Sequence, residues 1–134
     1  VHYECLVKNC PEDVETHQLA IGNEEKMISL SEDNFTQAKR VVGDGTIPMV
    51  TIDSLDLDDV DLVKIDVEGF EMEVLKGAEN TLKNVDYLMI ELNNNSKKYG
   101  SSNLEIEKHL RKTGFEIMIK VWPDVVWRKK GKSK

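Results

Sequence analysis

Two apolar runs flank a helical stripe within residues 61–92, and this arrangement constrains the fold of the chain more than any other feature. Residues 61–67 form a compact apolar run broken by Lys64, which predicts a buried strand, and residues 85–92 form a second run with little alternation. Between them apolar side chains recur at helical spacing: Phe70, Val74, Leu75, Ala78 and Leu82. A strand, a helix and a second strand in this order predict parallel pairing in an α/β sheet that helices cover on both faces.

The N-terminal third predicts a helix followed by short strands. An apolar helix face over residues 3–10 ends at Pro11, because the residue before a proline avoids the helical region. Strands are predicted at residues 14–21, 26–30 and 47–52. Gly43-Asp44-Gly45 is interpreted as a hairpin turn, which predicts a β-hairpin insertion, and residues 31–39 are predicted to be a loop or a short irregular helix.

The C-terminal third predicts one helix and a final pair of strands. Ser102 and Glu105 have the spacing of a capping box, which predicts the start of a helix that runs to Gly114. Residues 115–121 and 125–127 then predict a terminal antiparallel pair of strands.

The composition excludes several classes of protein. The 134 residues suit one domain, and a hydrophobic share of 40% is enough for a core. The net charge of −7 argues against a nucleic-acid binder, which needs a basic surface to displace counterions. No apolar run approaches the roughly 20 residues of a membrane span, and no segment is typical of a signal peptide. With Cys5 and Cys10 as reduced thiols, we expect a cytoplasmic protein without a membrane or nucleic-acid partner.

Charged residues gather at the end of the first apolar run, where an α/β sheet binds its ligands. Lys64 and Asp66 share strand parity, so both side chains point to one face, and Glu68 follows next to Gly69. In one interpretation Lys64 pairs with a carboxylate to close the strand, while Glu68 and Glu71 complement the N-terminus of the next helix. In the other, a carboxylate orients or deprotonates a substrate group. Both interpretations stay open at this point.

Four segments of the sequence resemble the FkbM-type methyltransferases in their order and spacing. They are PMVTIDSL at residues 48–55, DLVKIDVEG at residues 61–69, EVLKGA at residues 73–78 and LMIEL at residues 88–92, and the resemblance extends over about residues 3–120. It implies a partial doubly wound, Rossmann-like methyltransferase sheet that is mostly parallel, with the hairpin insertion and a C-terminal antiparallel strand. It also implies S-adenosylmethionine as the cofactor and methyl transfer to a hydroxyl of a sugar or small metabolite.

The resemblance assigns roles to residues at the strand ends. Ala20 and Ile21 would border the adenine of the cofactor, and Asp66 and Glu68 would face the methyl-transfer centre. Methyl transfer to oxygen releases a proton, so Asp66 is the first choice for the general base and Glu68 the second, with Lys64 orienting them. No metal ligand is assigned.

The sequence departs from the family in its cofactor-binding part. The family's first strand ends in a glycine-rich turn and its second strand ends in an acidic residue that holds the ribose, and this sequence has neither. We therefore expect residues 1–134 to be a single domain that forms the C-terminal portion of the methyltransferase fold, truncated at the N-terminus. The absent strands would lie between those at residues 14–21 and 62–67, so two inner edges would lack partners.

Two alternatives to a methyltransferase follow from the same residues. A truncated remnant without activity would act as an interaction module, pairing its open strands with a second copy, as a homo-oligomer, or with a partner chain. A magnesium-dependent enzyme would use Asp66 and Glu68 as ligands, because hard cations bind carboxylates.

Overall fold

The computed structural model describes residues 2–31 and 41–131, so the predicted loop or irregular helix at residues 31–39 lies outside the described residues except for Ser31. Helices lie at His2–Asn9 (α1), Glu71–Lys76 (α2) and Asn103–Lys112 (α3). Strands lie at Ala20–Ile21 (β1), Lys26–Leu30 (β2), Val41–Val50 (β3), Leu62–Ile65 (β4), Tyr87–Glu91 (β5), Phe115–Val121 (β6) and Asp124–Lys129 (β7). Short 3₁₀ helices occupy Asp53–Leu55, Thr81–Lys83 and Asn95–Tyr99. This mixture of helices and strands confirms the α/β class.

The strands β1, β3 and β2 form a three-stranded sheet in that order, the N-terminal sheet. β1 runs parallel to β3, and β2 runs antiparallel to it. Of the strand predicted at residues 14–21, Ala20 and Ile21 alone pair with a described neighbour, opposite Met49 and Val50. The strand predicted at residues 26–30 is confirmed as β2.

Gly43-Asp44-Gly45 lies within β3, so the predicted hairpin turn is wrong. The pairing of β3 with β2 shifts between Ile28 and Ser29, which leaves residues 43–46 as a bulge. A Cβ atom on Gly45 would collide with the carbonyl oxygen of Ile28, so this close approach requires glycine. The glycines therefore serve a bulge and not a turn that reverses the chain.

The strands β4, β5, β7 and β6 form a four-stranded sheet in that order, the C-terminal sheet. β4 and β5 are parallel and connected through α2, as predicted, whereas β5 with β7 and β7 with β6 are antiparallel. The expectation of a mostly parallel sheet is therefore corrected to two mixed sheets. The connections explain the difference, because a tight turn at residues 122–123 joins β6 to β7 and a tight turn produces antiparallel neighbours.

The core lies between the C-terminal sheet and the helices α2 and α3. The predicted helical stripe supplies four of its buried side chains: Val74, Leu75, Ala78 and Leu82. α2 is shorter than the stripe predicts, because the α-helix ends at Lys76 and the last of these side chains, Leu82, belongs to the 3₁₀ helix Thr81–Lys83. Alternate residues of the strands, such as Leu88 and Ile90, complete the core from the sheet side.

The predicted capping box at the start of α3 is confirmed. Ser102 Oγ accepts a hydrogen bond from the Glu105 backbone N–H at 3.3 Å and donates one to Glu105 Oε2 at 2.8 Å. Gly114 follows the helix with φ +92°, a conformation that favours glycine after a helix end. Within the ranges that the structure describes, the helices lack the length or the apolar character of a membrane span.

β1 and β4 are edge strands in the described part of the chain, since each pairs with one neighbour. The two sheets meet beside β1. A Cβ atom on Gly22 would lie 3.1 Å from Phe70 Cε1, and a Cβ atom on Gly77 would overlap the Gly22 carbonyl oxygen. The carboxyl end of β1 is therefore close to the loop that precedes α2.

Candidate functional site

The carboxyl ends of β4 and β5 lie side by side, because the two strands are parallel and Ile65 pairs with Ile90. Asp66 follows β4 directly, and Glu91 is the last residue of β5. Carboxylate oxygens of Asp66, Glu68 and Glu91 all lie within 4.8 Å of one another. The structure thus brings together the two carboxylates predicted from the sequence and adds a third. These three residues are the carboxylate cluster.

Lys64 pairs with Asp66, the first partner predicted for it. Lys64 Nζ lies 3.0 Å from Asp66 Oδ2, and 53% of the lysine side chain is exposed. The prediction of a buried strand is therefore wrong for most of β4, because β4 is an edge strand in which Leu62 and Lys64 are exposed and only Ile65 is buried. Hydrogen bonding and charge attraction from Asp66 raise the pKa of Lys64. The hydrogen bond from Lys64, then the one shared with Glu91, lowers the pKa of Asp66.

Glu91 has the most unusual acidity in the cluster. Its hydrogen bond with Asp66, its partial burial and the negative charges of Asp66, Glu68 and Asp124 raise its pKa to about 7. Near neutral pH the pair of Asp66 and Glu91 therefore holds one proton that is easily lost. A carboxyl group with such a pKa is suited to accept a proton from a substrate at neutral pH.

Glu68 is oriented by two amide side chains from the loop after β5. Its Oε2 accepts hydrogen bonds from Asn93 Nδ2 and Asn95 Nδ2, each at 2.9 Å. The backbone N–H of Asn95 donates in turn to Asn93 Oδ1 at 3.1 Å, which fixes the two amides relative to each other. Glu68 itself has φ +54°, a conformation that a non-glycine residue seldom adopts. The contacts with both asparagines hold its carboxylate in one place.

Glu71 and Gly69 hold the backbone on which Glu68 lies. Glu71 is 1% exposed, and its Oε1 accepts a hydrogen bond from the Gly69 backbone N–H at 2.8 Å. Burial raises the pKa of Glu71, while its hydrogen bonds with the backbone oppose this shift. Gly69 has φ +113°, and a Cβ atom there would lie 2.7 Å from the carbonyl group of Asn95, so glycine is required. The loop 66–70 thus packs directly on the loop after β5.

Ala20 and Ile21, predicted to border a cofactor's adenine, form the whole of β1. Both are half-buried, and Ile21 packs against the core. Gly22 follows them and approaches Phe70, which links the carboxyl end of β1 to the loop that carries Glu68. The structure places these residues at a strand end on the other side of the contact between the sheets, not within the carboxylate cluster.

The carboxylate cluster is also where the described residues could hold a hard cation, through one oxygen each of Asp66, Glu68 and Glu91. Their present contacts compete with such an ion. Lys64 binds Asp66, Asp66 shares a hydrogen bond with Glu91, and two amides bind Glu68. This geometry suits proton transfer and hydrogen bonding without requiring an ion.

Glu91 and Asn95 were not found by sequence reasoning. Glu91 ends the LMIEL segment, so the rule that parallel strands present their carboxyl ends together could have indicated it. No comparable signal distinguishes Asn95, because three consecutive asparagines follow this strand and only the loop geometry selects among them.

Comparisons with known proteins point in one direction. The chain matches the family described as the methyltransferase FkbM domain over residues 3–117. It is also similar to the hexuronic acid methyltransferase AglP of Haloferax volcanii, with 36% identity over 63 residues. That match covers 44% of this chain and 26% of the relative, so the chain spans about a quarter of the length of the curated relative. No solved structure matches the chain.

Proposed function

Because the chain belongs to the FkbM methyltransferase family, we propose that it carries the reaction centre of an S-adenosylmethionine-dependent O-methyltransferase. The proposed acceptor is a hydroxyl of a sugar or small metabolite, which agrees with the hexuronic acid named for its relative. The observation that carries the proposal is the pair of Asp66 and Glu91 at adjacent strand ends, with Glu91 able to accept a proton near pH 7.

The donor set fits the reacting end of this cofactor. When bound, S-adenosylmethionine supplies an electrophilic methyl group on a positively charged sulfur. Three carboxylates within 4.8 Å of one another favour a positive charge beside them. Ala20 and Ile21, at the end of β1, would border the adenine. In the described residues no strand leads into a glycine-rich turn and a helix, so the fit is limited to these parts of the cofactor.

In the proposed reaction an acceptor hydroxyl hydrogen-bonds to the pair of Asp66 and Glu91. The bound cofactor would supply the methyl group and leave as S-adenosylhomocysteine, and the hydroxyl proton of the acceptor would pass to a carboxylate oxygen of this pair. Glu91 is the better final acceptor, because its pKa of about 7 lies close to the working pH, whereas the pKa of Asp66 is lowered. Lys64 orients Asp66, and Glu68 binds a neighbouring hydroxyl of the acceptor.

We propose the same architecture for the whole protein that the resemblance implied, a Rossmann-like sheet of which residues 1–134 form a C-terminal portion. The open edges of β1 and β4 support it, because a strand inserted beside each of them would join the two sheets into one.

Transfer of a labelled methyl group from S-adenosylmethionine to neutral sugars and hexuronic acids tests the function. Asp66→Asn and Glu91→Gln should each lower kcat about 100-fold, the usual contribution of a positioned base. The control is Glu116→Gln, which alters a carboxylate paired with Arg128 away from the cluster and should leave kcat unchanged. Equal rates in all four proteins would contradict the proposal.

An interaction module is the second candidate, favoured by the open edges of β1 and β4 and by Leu62 on β4, which is 56% exposed. Light scattering distinguishes it from the first. A stable dimer that dissociates after Leu62→Lys, together with no binding of S-adenosylhomocysteine, would favour the module.

A further inference from the structure

A cleft lies at the end of the C-terminal sheet opposite to the carboxylate cluster. It has a volume of about 440 Å³ and lies between the 3₁₀ helix Thr81–Lys83 and the C-terminal end of α3. The length of β7 separates the cleft from the proposed reaction centre. β7 begins with Asp124, opposite Glu91, and it ends with Lys129, which lines the cleft. The cleft therefore has no part in the chemistry proposed above.

The cleft is positively charged in a chain that is otherwise acidic. Its charged lining consists of Lys83, Lys112 and Lys129 against Glu79, which gives three positive charges less one, or +2, with the histidine neutral. The whole chain has a net charge of −7. Lys112 makes no hydrogen bond or ion pair within the described residues, so its charge is available to a ligand. Such a local reversal of sign favours an anion at this place.

The walls of the cleft are fixed before any ligand binds. Lys129 Nζ donates hydrogen bonds to the carbonyl oxygens of Leu82, at 2.8 Å, and Thr113, at 3.0 Å. The same ammonium group lies 4.4 Å from the centre of the Phe115 ring, a favourable position for a cation. Lys129 thus ties the 3₁₀ helix to the end of α3, and the methylene groups of the lysines form the apolar base of the cleft above the buried Leu75 and Leu82.

We propose that this cleft binds an organic carboxylate with a short apolar chain. The carboxylate would lie between Lys112 and His109, and the chain would lie over the methylene groups of the lysines. An inorganic anion would use the charges alone, and a neutral alcohol would use the apolar base alone, so neither matches the whole lining.

The pKa of His109 indicates whether the cleft is occupied. Burial lowers its pKa first, the positive charges of Lys112 and Lys76 lower it further, and Glu79 opposes them. Lys83 and Lys129, the other charged groups of the cleft, are both positive. His109 is therefore neutral at pH 7 and can donate a hydrogen bond to a carboxylate. A bound carboxylate favours the protonated ring and so raises the pKa of His109.

The test is a titration of the histidine ring resonances of the full chain by NMR, with hexanoate as the ligand probe. Hexanoate should raise the pKa of His109 in a saturable way and should not shift the ring resonances of His17, which pairs with Glu15 elsewhere. Acetate lacks the apolar chain, and hexanol lacks the charge. Each should need at least a tenfold higher concentration than hexanoate to change the His109 resonances to the same extent. Lys112→Gln should weaken hexanoate binding about threefold, as expected for a partly exposed ion pair. Lys108→Gln, a neighbouring exposed lysine of α3 outside the cleft, should have no effect.

Three outcomes overturn the inference. No change at His109 with hexanoate means that the cleft does not bind it. Equal effects of acetate and hexanoate mean that the lysines attract any anion without using the apolar base. Equal affinities of the Lys112→Gln and Lys108→Gln variants mean that the carboxylate lies elsewhere. None of these results depends on methyl transfer.

Discussion

Glu91 shows how two carboxyl groups at neighbouring strand ends change each other's acidity. The parallel register places Glu91 beside Asp66, and the carboxylates of Glu68 and Asp124 add negative charge. Lys64 favours the ionised form of Asp66, so the proton of the pair stays on Glu91. A glutamate on an isolated strand would have the ordinary pKa of about 4.3.

This acidity predicts the pH dependence of stability. The pKa of Glu91 in the folded state, about 7, is higher than in the unfolded chain, so a bound proton stabilises the fold. That contribution is complete below about pH 4 and is lost as the pH rises through about 7. Glu91→Gln cannot titrate, so its free energy of unfolding should lack this decrease, which solvent screening limits to about 1 kcal/mol. Urea unfolding at pH 5 and pH 8 measures this decrease.

Glu116→Gln is the control for this prediction, because its free energy of unfolding should decrease between these pH values as in the wild type. An equal decrease in Glu91→Gln would show that Glu91 is not the titrating group.

At the scale of elements, Asp53 connects two 3₁₀ helices that are distant in the sequence. Its carboxylate accepts hydrogen bonds from the backbone N–H groups of Asn80, at 2.9 and 3.1 Å, and Thr81, at 2.8 Å. The Thr81 hydroxyl donates a further one at 2.9 Å. Asp53 belongs to the TIDSL segment of the family resemblance, so this part of the motif stabilises the fold and does not take part in the proposed chemistry.

Replacing this carboxylate should therefore reduce stability in a pH-dependent manner. Burial would raise the pKa of Asp53, but the hydrogen bonds from Asn80 and Thr81 together outweigh it and lower the pKa. A lowered folded-state pKa gives stability that is present above about pH 4 and is lost as the pH falls through the folded value. At pH 7, Asp53→Asn should lower the free energy of unfolding in urea by about 1–3 kcal/mol, because the donors on Asn80 and Thr81 lose an ionised acceptor. Asp56→Asn, at an exposed position nearby, should change by less than about 0.5 kcal/mol. Equal losses in the two variants at pH 7 would refute this role.

Local sequence patterns predicted those elements that the spacing of apolar residues along one segment indicates. β2 lies at its predicted residues, β4 and β5 have the predicted parallel pairing, and four of the five residues of the helical stripe are buried. The bulge at Gly43-Asp44-Gly45 could not be inferred, because it depends on the approach of Gly45 to Ile28 across the sheet. Most of residues 14–21 lies outside β1, because among these residues only Ala20 and Ile21 pair with β3.

The candidate site was predictable to the extent that it lies on one segment. Asp66 and Glu68 follow β4, and the rule for strand ends in α/β sheets selects them. Glu91 and Asn95 join the site through register and loop packing, which a single sequence does not specify. The roles predicted from the sequence remain predictions for Lys64, Asp66, Glu68, Ala20 and Ile21. Of these, the Asp66→Asn variant described above tests the role of Asp66.

At the scale of the whole molecule, a contact between two glycines joins the sheets. Gly22 follows β1 in the N-terminal sheet, and Gly77 follows α2, which packs on the C-terminal sheet. A Cβ atom on Gly77 would overlap the Gly22 carbonyl oxygen and lie 3.2 Å from Asn23 Cα. The backbone N–H of Asp53 also donates to the Gly77 carbonyl oxygen at 2.9 Å. The glycine of the EVLKGA segment is thus required where the two halves of the molecule touch.

Gly77→Ala should loosen this contact and lower the stability of both sheets together. Gly77 has φ −81°, which alanine adopts without strain, so any loss comes from the collision with backbone atoms of Gly22 and Asn23. Backbone atoms move less easily than a side-chain end, so we expect a loss of about 1–3 kcal/mol in urea unfolding, typical of an overfilled contact. Lys76→Ala removes an exposed side chain at the preceding position and should change stability by less than about 0.5 kcal/mol. Amide chemical shifts separate this account from a local defect in α2, because the contact requires Gly77→Ala to perturb residues 20–23 and 50–53 as well as 71–78. Shift changes confined to residues 71–78, or a midpoint equal to that of Lys76→Ala, would mean that the sheets do not depend on this contact.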